Sequence, residues 1–280
     1  MIDKLLKLKL LFGKRSNFEL KAGAILALLI GALTIGGFFY LPRDYNAMDS
    51  GNRFSPPGPG RLMGTDNFGR DVFIRIMAGA KYTLLTALAT VAGSAALGCV
   101  LGLLSGFSGG LWDEIIMRLM DALSSFPGIL LALVMVSLLG NSHGTLIIAL
   151  LILFIPGFTR IMRGGMLQYK DRDFVLAALL AGTPRMRVIF VHIFPNLAPS
   201  LLSASVLGLS NAILAESTMS YLGLGIQPPE PSWGRMLSES QTFLFNAPWC
   251  ALCPGIMIML TVLAFHYLGD WLKIRMNADF

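Results

Sequence analysis

Residues 170–196, KDRDFVLAALLAGTPRMRVIFVHIFPN, decide the reading of this chain. The segment is basic and lies between two apolar runs of membrane length. Residues 174–182, FVLAALLAG, are good helix formers ending on a glycine, and Thr183-Pro184 stops that helix. From Arg185 to Phe194 an amphipathic pattern resumes, with Val188, Ile189, Val191 and Phe194 set against Arg185, Arg187 and His192. Pro195-Asn196 then turns the chain into the next apolar run. A short helix lying along a membrane surface, braced by a second one, has the shape of a lever. Small Ala177 and Ala178 would let another protein's groove approach closely. An ordinary loop helix tying two crossings together has the same spacing.

The rest of the chain is built like a membrane protein. Of its 280 residues 55% are hydrophobic and only 14% charged, against about a quarter charged in soluble domains. The net charge of +6 sits between apolar runs with no aromatic-interleaved basic face, which points to membrane orientation and away from nucleic acid. Cys99 reads as a small buried hydrophobe. Cys250 and Cys253 form a Cys-x-x-Cys without the βαβ context of a redox site or the further ligands of a zinc site. The basic N-terminus is followed by an uncharged stretch, Ala22 to Pro42, too long for a signal-peptide core and suited to a retained anchor.

Charge-free stretches occupy 22–42, 82–112, 122–159, 188–215 and 240–269. As one helix, 122–159 would be about 57 Å long at about 1.5 Å per residue, enough for two crossings of about 30 Å. The polar turn Gly140-Asn141-Ser142-His143-Gly144 divides it. The expectation is therefore an all-α protein with six crossings, near 20–41, 83–106, 117–139, 145–164, 197–217 and 249–271. An N-terminus inside puts Lys4, Lys7, Lys9, Lys14, Arg15, Lys21, Arg118, Arg160, Arg163, Lys170, Arg172, Arg185, Arg187, Lys273 and Arg275 on the cytoplasmic side. Arg43, Arg53, Arg61, Arg70, Arg75, Lys81 and Arg235 fall outside. That asymmetry predicts both termini in the cytoplasm of a multi-pass protein of the cell (inner) membrane. A cytoplasmic segment 1–19 leads into one transmembrane domain, 20–271, and a tail, 272–280. The loops are 42–81 and 223–248 outside and 165–196 inside. No repeat of solenoid period is present.

Within the crossings, Ser94, Gly98, Gly102, Gly106 and Gly110 recur every fourth residue and lay a smooth strip on one helix face. Tight packing inside the subunit is the first reading of that strip. The flank of a transport pathway, or of an interface with a partner subunit, is the second. Pro127 and Pro156 permit kinks that could shape a cavity. Asp121 lies one turn from Arg118 and is expected to pair with it. Glu216, near the outer end of its helix, is expected to be solvated at the mouth, with a gate contact as the alternative. In the first outer loop Gly64 and Gly69 allow a sharp turn inside which Asp66, Arg70 and Asp71 can pair. Such a loop is a staple over the helix ends before it is a docking site. Trp233 and Trp249 fit an aromatic belt.

Several classes find no support. No Gly-x-x-x-x-Gly-Lys-[Ser/Thr] occurs, Gly13-Lys14 being the nearest fragment, so ATP phosphates are not cradled by a P-loop. No His-Glu-x-x-His or Gly-x-Ser-x-Gly is present. His143, His192 and His266 fall far apart. Buried acids are too few for a proton relay, and neither inverted repeats nor a catalytic cluster is visible, which disfavours a self-sufficient carrier, a channel or a membrane-embedded enzyme.

The opening segment resembles the EAA loop of ABC-importer permeases, with Ala177, Ala178, Gly182 and Phe194-Pro195 in register and Leu176 at the Glu position. Asp173-Phe174-Val175 before it and His192-Ile193-Phe194-Pro195-Asn196 after it resemble the peptide/nickel branch. Residues 63–73, MGTDNFGRDVF, resemble the GTDxxGRDVxxR signature that follows the first crossing, with Arg75 as the later arginine. Ser220-Tyr221-Leu222-Gly223-Leu224-Gly225, Pro228-Pro229, residues 231–237 (PSWGRML) and residues 263–270 (LAFHYLGD) agree with the same family. The resemblance runs the length of the chain and is to the shorter, C-type permease of dipeptide and oligopeptide importers.

That resemblance implies a type I importer fold and half of a translocation pathway for short peptides. Nickel or metal chelates, glutathione and antimicrobial peptides are alternatives. It implies no cofactor, catalytic residue or metal on this chain, since ATP and Mg would sit on two partner ATPase subunits. A second homologous permease, as a heterodimer, and an extracytoplasmic binding protein would complete the assembly. The coupling segment would comprise Asp173, Phe174, Leu176, Ala177, Ala178, Gly182, Thr183, Pro184 and Arg185. The outer gate or docking loop would comprise Gly64, Thr65, Asp66, Gly69, Arg70, Asp71 and Trp233. Gly98, Gly102, Gly106, Pro127 and Glu216 are pathway or packing candidates.

Overall fold

The computed structural model describes residues 2–39 and 44–277, with side chains 2–19, 38 and 277 left aside. The end of the first expected crossing, the start of the 42–81 loop with Arg43, the last three tail residues and the side chains of Lys4, Lys7, Lys9, Lys14 and Arg15 lie outside the described residues. The elements in order are α1 (Ile2–Phe39), α2 (Val72–Ser108), α3 (Gly110–Ser125), α4 (Gly128–Leu139), α5 (His143–Tyr169), α6 (Asp173–Leu180), α7 (Arg185–Arg187), a π-helical turn (Val188–Ile193), α8 (Phe194–Tyr221), α9 (Trp233–Ser240) and α10 (Trp249–Asn277). Among the described residues five helices are long and apolar enough to cross a membrane, or six if the bent pair α3–α4 is one span.

The centre of the fold is the contact between α2 and α5. These helices run parallel, with Thr86 beside His143 and Ser94 beside the Leu151 carbonyl at a constant separation of 57 residues. The glycine strip explains the closeness. A Cβ on Gly98 would lie 2.5 Å from the Phe158 Cβ, and one on Gly102 would lie 2.5 Å from the Thr159 carbonyl oxygen. Gly106 faces Met166 in the same way. The strip is a packing seam inside the subunit. Gly110, the last of the series, instead opens α3 with φ +56°. On the other flank, Gly208 of α8 faces Phe158 and Val91, and α10 runs antiparallel to α8, with Gly269 against Leu207 and the Ser210 hydroxyl donating to the Val262 carbonyl at 3.2 Å.

Four expectations change. α2 begins at Val72, so the first loop loses its last ten residues to a helix capped by Asp71, whose carboxylate accepts from the Phe73 and Ile74 amides at 3.0 and 3.3 Å. The 223–248 loop contains α9. The third crossing is not one helix, because Phe126-Pro127 breaks it with a 91° bend; proline has no amide to continue the ladder and drives the preceding residue into extended backbone. Pro195 makes no turn, because the wider π-helical turn at Val188–Ile193 leads directly into α8 with Pro195 in its first turn.

Gly102→Leu should force α2 off α5 and lower stability by about 1–3 kcal/mol or more. Gly164→Ala, which meets nothing within 4 Å, should be tolerated. Thermal unfolding of both variants in detergent tests the contrast.

Candidate functional site

The segment 173–187 folds as a capped elbow. Leu176, Ala177, Ala178, Leu179 and Leu180 are strong helix formers, and Asp173 in the first turn complements the helix dipole. The Arg172 carbonyl accepts from the Val175 and Leu176 amides at 2.9 and 3.1 Å. Gly182 adopts φ +79° and closes the helix: its amide donates to the Leu179 carbonyl at 3.0 Å and the Thr183 amide to the Ala178 carbonyl at 3.1 Å. This pair of bonds is a Schellman motif, which stops a helix at a defined residue. Pro184 then opens α7.

One face of the elbow is anchored and the other is free. Val175, Val188, Ile189 and Ile193 are buried among Cys99 and Leu103 of α2, Met162 and Met166 of α5, and Leu197 of α8. The elbow therefore rests on the same helix pair that the glycine seam joins. Outward stand Phe174, Leu176, Met186 and Leu180, the last 90% exposed. Asp173, Ala177, Arg172, Arg185 and Arg187 are exposed beside them. An apolar patch with a basic rim is the signature of a surface that another protein covers.

At the opposite end, residues 44–71 form an ordered lid. Gly64 and Gly69 adopt φ +71° and +75°, left-handed values that glycine alone takes without strain. Asp66 organises the turn: its Oδ1 accepts from the Phe68 and Arg70 amides at 2.8 and 2.9 Å, and its Oδ2 from Arg70 Nε at 2.6 Å. Glu239 of α9 joins the network. Its Oε2 takes Arg70 Nη2 at 3.2 Å and Arg75 Nη2 at 3.1 Å, and its Oε1 takes Arg235 Nε at 3.2 Å. Thr65, fully buried, is held from α10 by Trp249 Nε1, which donates to its carbonyl at 3.1 Å. Asp71 caps α2 and lies 4.0 Å from Arg61.

Trp233 is no belt residue. It is fully buried and its Nε1 donates to the Ile76 carbonyl at 3.0 Å. Trp249 is half-buried and spends its indole N–H on the lid. Glu216 is not solvated either. It has no exposed surface, accepts from the Ser220 and Ser217 hydroxyls at 2.6 and 3.4 Å, and has the Thr83 and Ser232 hydroxyls as further partners. This cage joins α8, α2 and the start of α9. The pairing of Asp121 with Arg118 is also replaced. Arg118 pairs with Glu114 at 2.6 Å, and Asp121 accepts from Arg160 of α5 at 2.8 Å. Pro127 lies exposed at the α3–α4 break.

The structure thus gathers Asp66, Arg70 and Asp71 at one end and the elbow residues at the other. It does not bring Gly98, Gly102 or Gly106 to a cavity. A groove of about 440 Å³ lies instead between α5, α8 and α10, lined by Gly157, Phe158, Ser200, Ser203, Asn211 and Lys273 among others. Glu239, Thr83 and Ser217 were absent from the sequence expectations, and Ser232 entered them only within the 231–237 stretch. Only Arg235 and Glu239, four apart, carried a local signal. Among the described residues, no three His, Cys, Asp or Glu side chains gather closely enough to hold a metal ion.

Residues 98–278 match the family model described as the inner membrane component of binding-protein-dependent transport systems. The chain belongs to that family. This permease is 41% identical over 231 residues to a dipeptide transport system permease protein, DppC, of Alkalihalophilus pseudofirmus, covering 82% of this chain and 76% of that one. The DppC of Haemophilus influenzae is 36% identical, covering 90% and 87%. A glutathione transport system permease protein, GsiD, of Escherichia coli is 38% identical, covering 93% and 86%. With several apolar helices, this permease is a multi-pass membrane protein of the C type.

Replacing Glu239 with Gln should leave Arg75, only 3% exposed, and Arg70 sharing Asp66 as their remaining acidic partner and cost about 1–3 kcal/mol. Arg118→Ala, which breaks the exposed pair with Glu114, should cost no more than about 1 kcal/mol. Chemical unfolding of both variants in the same detergent measures the difference.

Proposed function

We propose that this chain is a permease subunit of an ATP-driven ABC importer and forms half of a translocation pathway for short peptides. The relatives, which are dipeptide, peptide and glutathione transport permeases by name, support the substrate class. In this reading the bent pair α3–α4 is the third of six crossings. Segment 1–19 and the tail are cytoplasmic, the 44–71 lid and α9 face outward, and the elbow α6–α7 is the cytoplasmic coupling helix. Hydrolysis of ATP with Mg takes place on two partner ATPase subunits. A second, homologous permease supplies the other half of the pathway, and an extracytoplasmic binding protein delivers substrate. The chain itself does no chemistry.

The observation that carries the proposal is the elbow: an exposed apolar patch whose first helix is closed by the Schellman motif at Gly182 and whose reverse side is buried between α2 and α5. Movement of an ATPase surface against Leu176, Leu180 and Met186 would be transmitted to the helix pair as a rigid displacement and shift the balance between two packings. Leu176 in place of the motif Glu makes this contact apolar where the family pattern has a charge. The lid acts first as a staple, because Thr65, Asp66 and Arg70 are buried in their own network. The groove between α5, α8 and α10 sets Ser200, Ser203 and Asn211 among apolar Phe154, Phe158, Ile161 and Leu207, a lining that can take both the backbone and the side chains of a short peptide.

Leu180→Glu tests the proposal. The side chain is almost fully exposed, so folding of the chain should be unaffected. Peptide uptake and peptide-stimulated ATP hydrolysis by the reconstituted complex should fall at least tenfold. Undiminished coupling in that variant, or after removal of residues 172–187, would contradict the lever role.

A further inference from the structure

We propose that α3 is a membrane-surface helix whose occupant is the lipid bilayer, lying in the plane of the leaflet nearest the elbow. The helix has three faces. Asp113, Ile116, Met117, Met120 and Leu123 turn toward the protein, Met120 being buried. Leu111, Trp112, Ile115 and Leu119 form an exposed apolar stripe. Glu114, Arg118 and Asp121 form an exposed polar stripe beside it. A helix with one face on protein, one apolar and one charged fits the boundary between acyl chains and headgroups.

The geometry gives its direction. α4 runs antiparallel along α5: Gly128 lies against Leu153, and Ala132 and Val136 pack with Leu146, Ala149 and Leu150. Because α5 crosses the bilayer, α4 stands along the membrane normal, and α3, bent 91° from it, lies across that normal. The ion pairs agree. Asp113 is gripped by Arg163 through two bonds of 2.6 Å, and Asp121 by Arg160 at 2.8 Å. The two aspartates are about 12 Å apart along α3, whereas the two arginines are only about 4.5 Å apart along α5.

Depth follows from the same rise. Arg160 and Arg163 lie about 26 and 30 Å from the His143 end of α5, at the far edge of a hydrocarbon core of about 30 Å. α4, with 12 residues, supplies about 18 Å, and the body of α3 beneath it about 10–12 Å, which together fill the leaflet-to-leaflet distance. The apolar stripe continues through exposed Phe126 into Ile129, Leu130 and Val134 of α4, so it is contiguous with the exposed apolar face of that helix. Calling this the cytoplasmic leaflet rests on the orientation in the proposed function. The in-plane lie does not.

The test is spin labelling of the full chain in nanodiscs at Glu114→Cys, Ile115→Cys, Arg118→Cys and Leu119→Cys, with signal from native Cys99, Cys250 and Cys253 subtracted using unsubstituted protein. Labels at 115 and 119 should collide several-fold more with oxygen than with a water-soluble nickel chelate, at equal depth, and labels at 114 and 118 the reverse. Depth that changes steadily from 114 to 119 regardless of face would overturn the proposal, as would shielding of 115 and 119 from both reagents, which would mean a protein covers the stripe. A reversed orientation of the whole chain would leave the face pattern intact, so the two failures read differently.

Discussion

The architecture depends on how closely α2 and α5 can approach. Gly98, Gly102 and Gly106 present no side chain to Phe158, Thr159, Met162 and Met166, so the backbones meet and dispersion contacts accumulate along several turns. In a bilayer no hydrophobic force joins helices, because the lipid is as apolar as the side chains; fit between small and large residues carries the association. The pair is parallel, and the elbow end of both helices therefore lies on the same side.

Two further structures rest on that pair. At one end, the buried flank of the elbow fills the space between Leu103, Met162 and Met166. At the other, Arg75, Ile76 and Thr83 of α2 hold the lid network, the Trp233 indole and the Glu216 cage. A single helix of 37 residues thus touches the ion network at one end and the elbow at the other. In the proposed mechanism this gives the subunit a mechanical path from nucleotide to gate without a catalytic group of its own. The groove between α5, α8 and α10 is bounded on one side by that path.

Local features were legible in the sequence. The four-residue glycine period, the polar break at 140–144 and the helix ending at Gly182 each express a rule that needs only neighbours along the chain. The bend at Phe126-Pro127 was half legible: proline announced an interruption, but the charges of the amphipathic α3 place most of it outside the charge-free stretch that begins at residue 122. One charged pair was read at the wrong range. Arg118 offered Asp121 a partner at spacing three, yet Arg160, distant in sequence, has it, because α3 crosses α5 at a steep angle. Glu216 and Trp233 sit near helix ends, where solvent is the simple expectation. Their burial arises from hydroxyls and carbonyls on α2, α8 and the start of α9, which no one-dimensional pattern brings together.

In the proposed function the exposed face of α6–α7 is where a nucleotide-driven partner pushes. Cysteine cross-linking in the assembled transporter addresses it directly, with single cysteines at positions 176, 180 and 186 and an ATPase subunit labelled at its permease-facing groove. The account predicts efficient cross-links at all three exposed positions and none at buried 175 or 188. A transporter that works fully while none of the three forms a cross-link would contradict it.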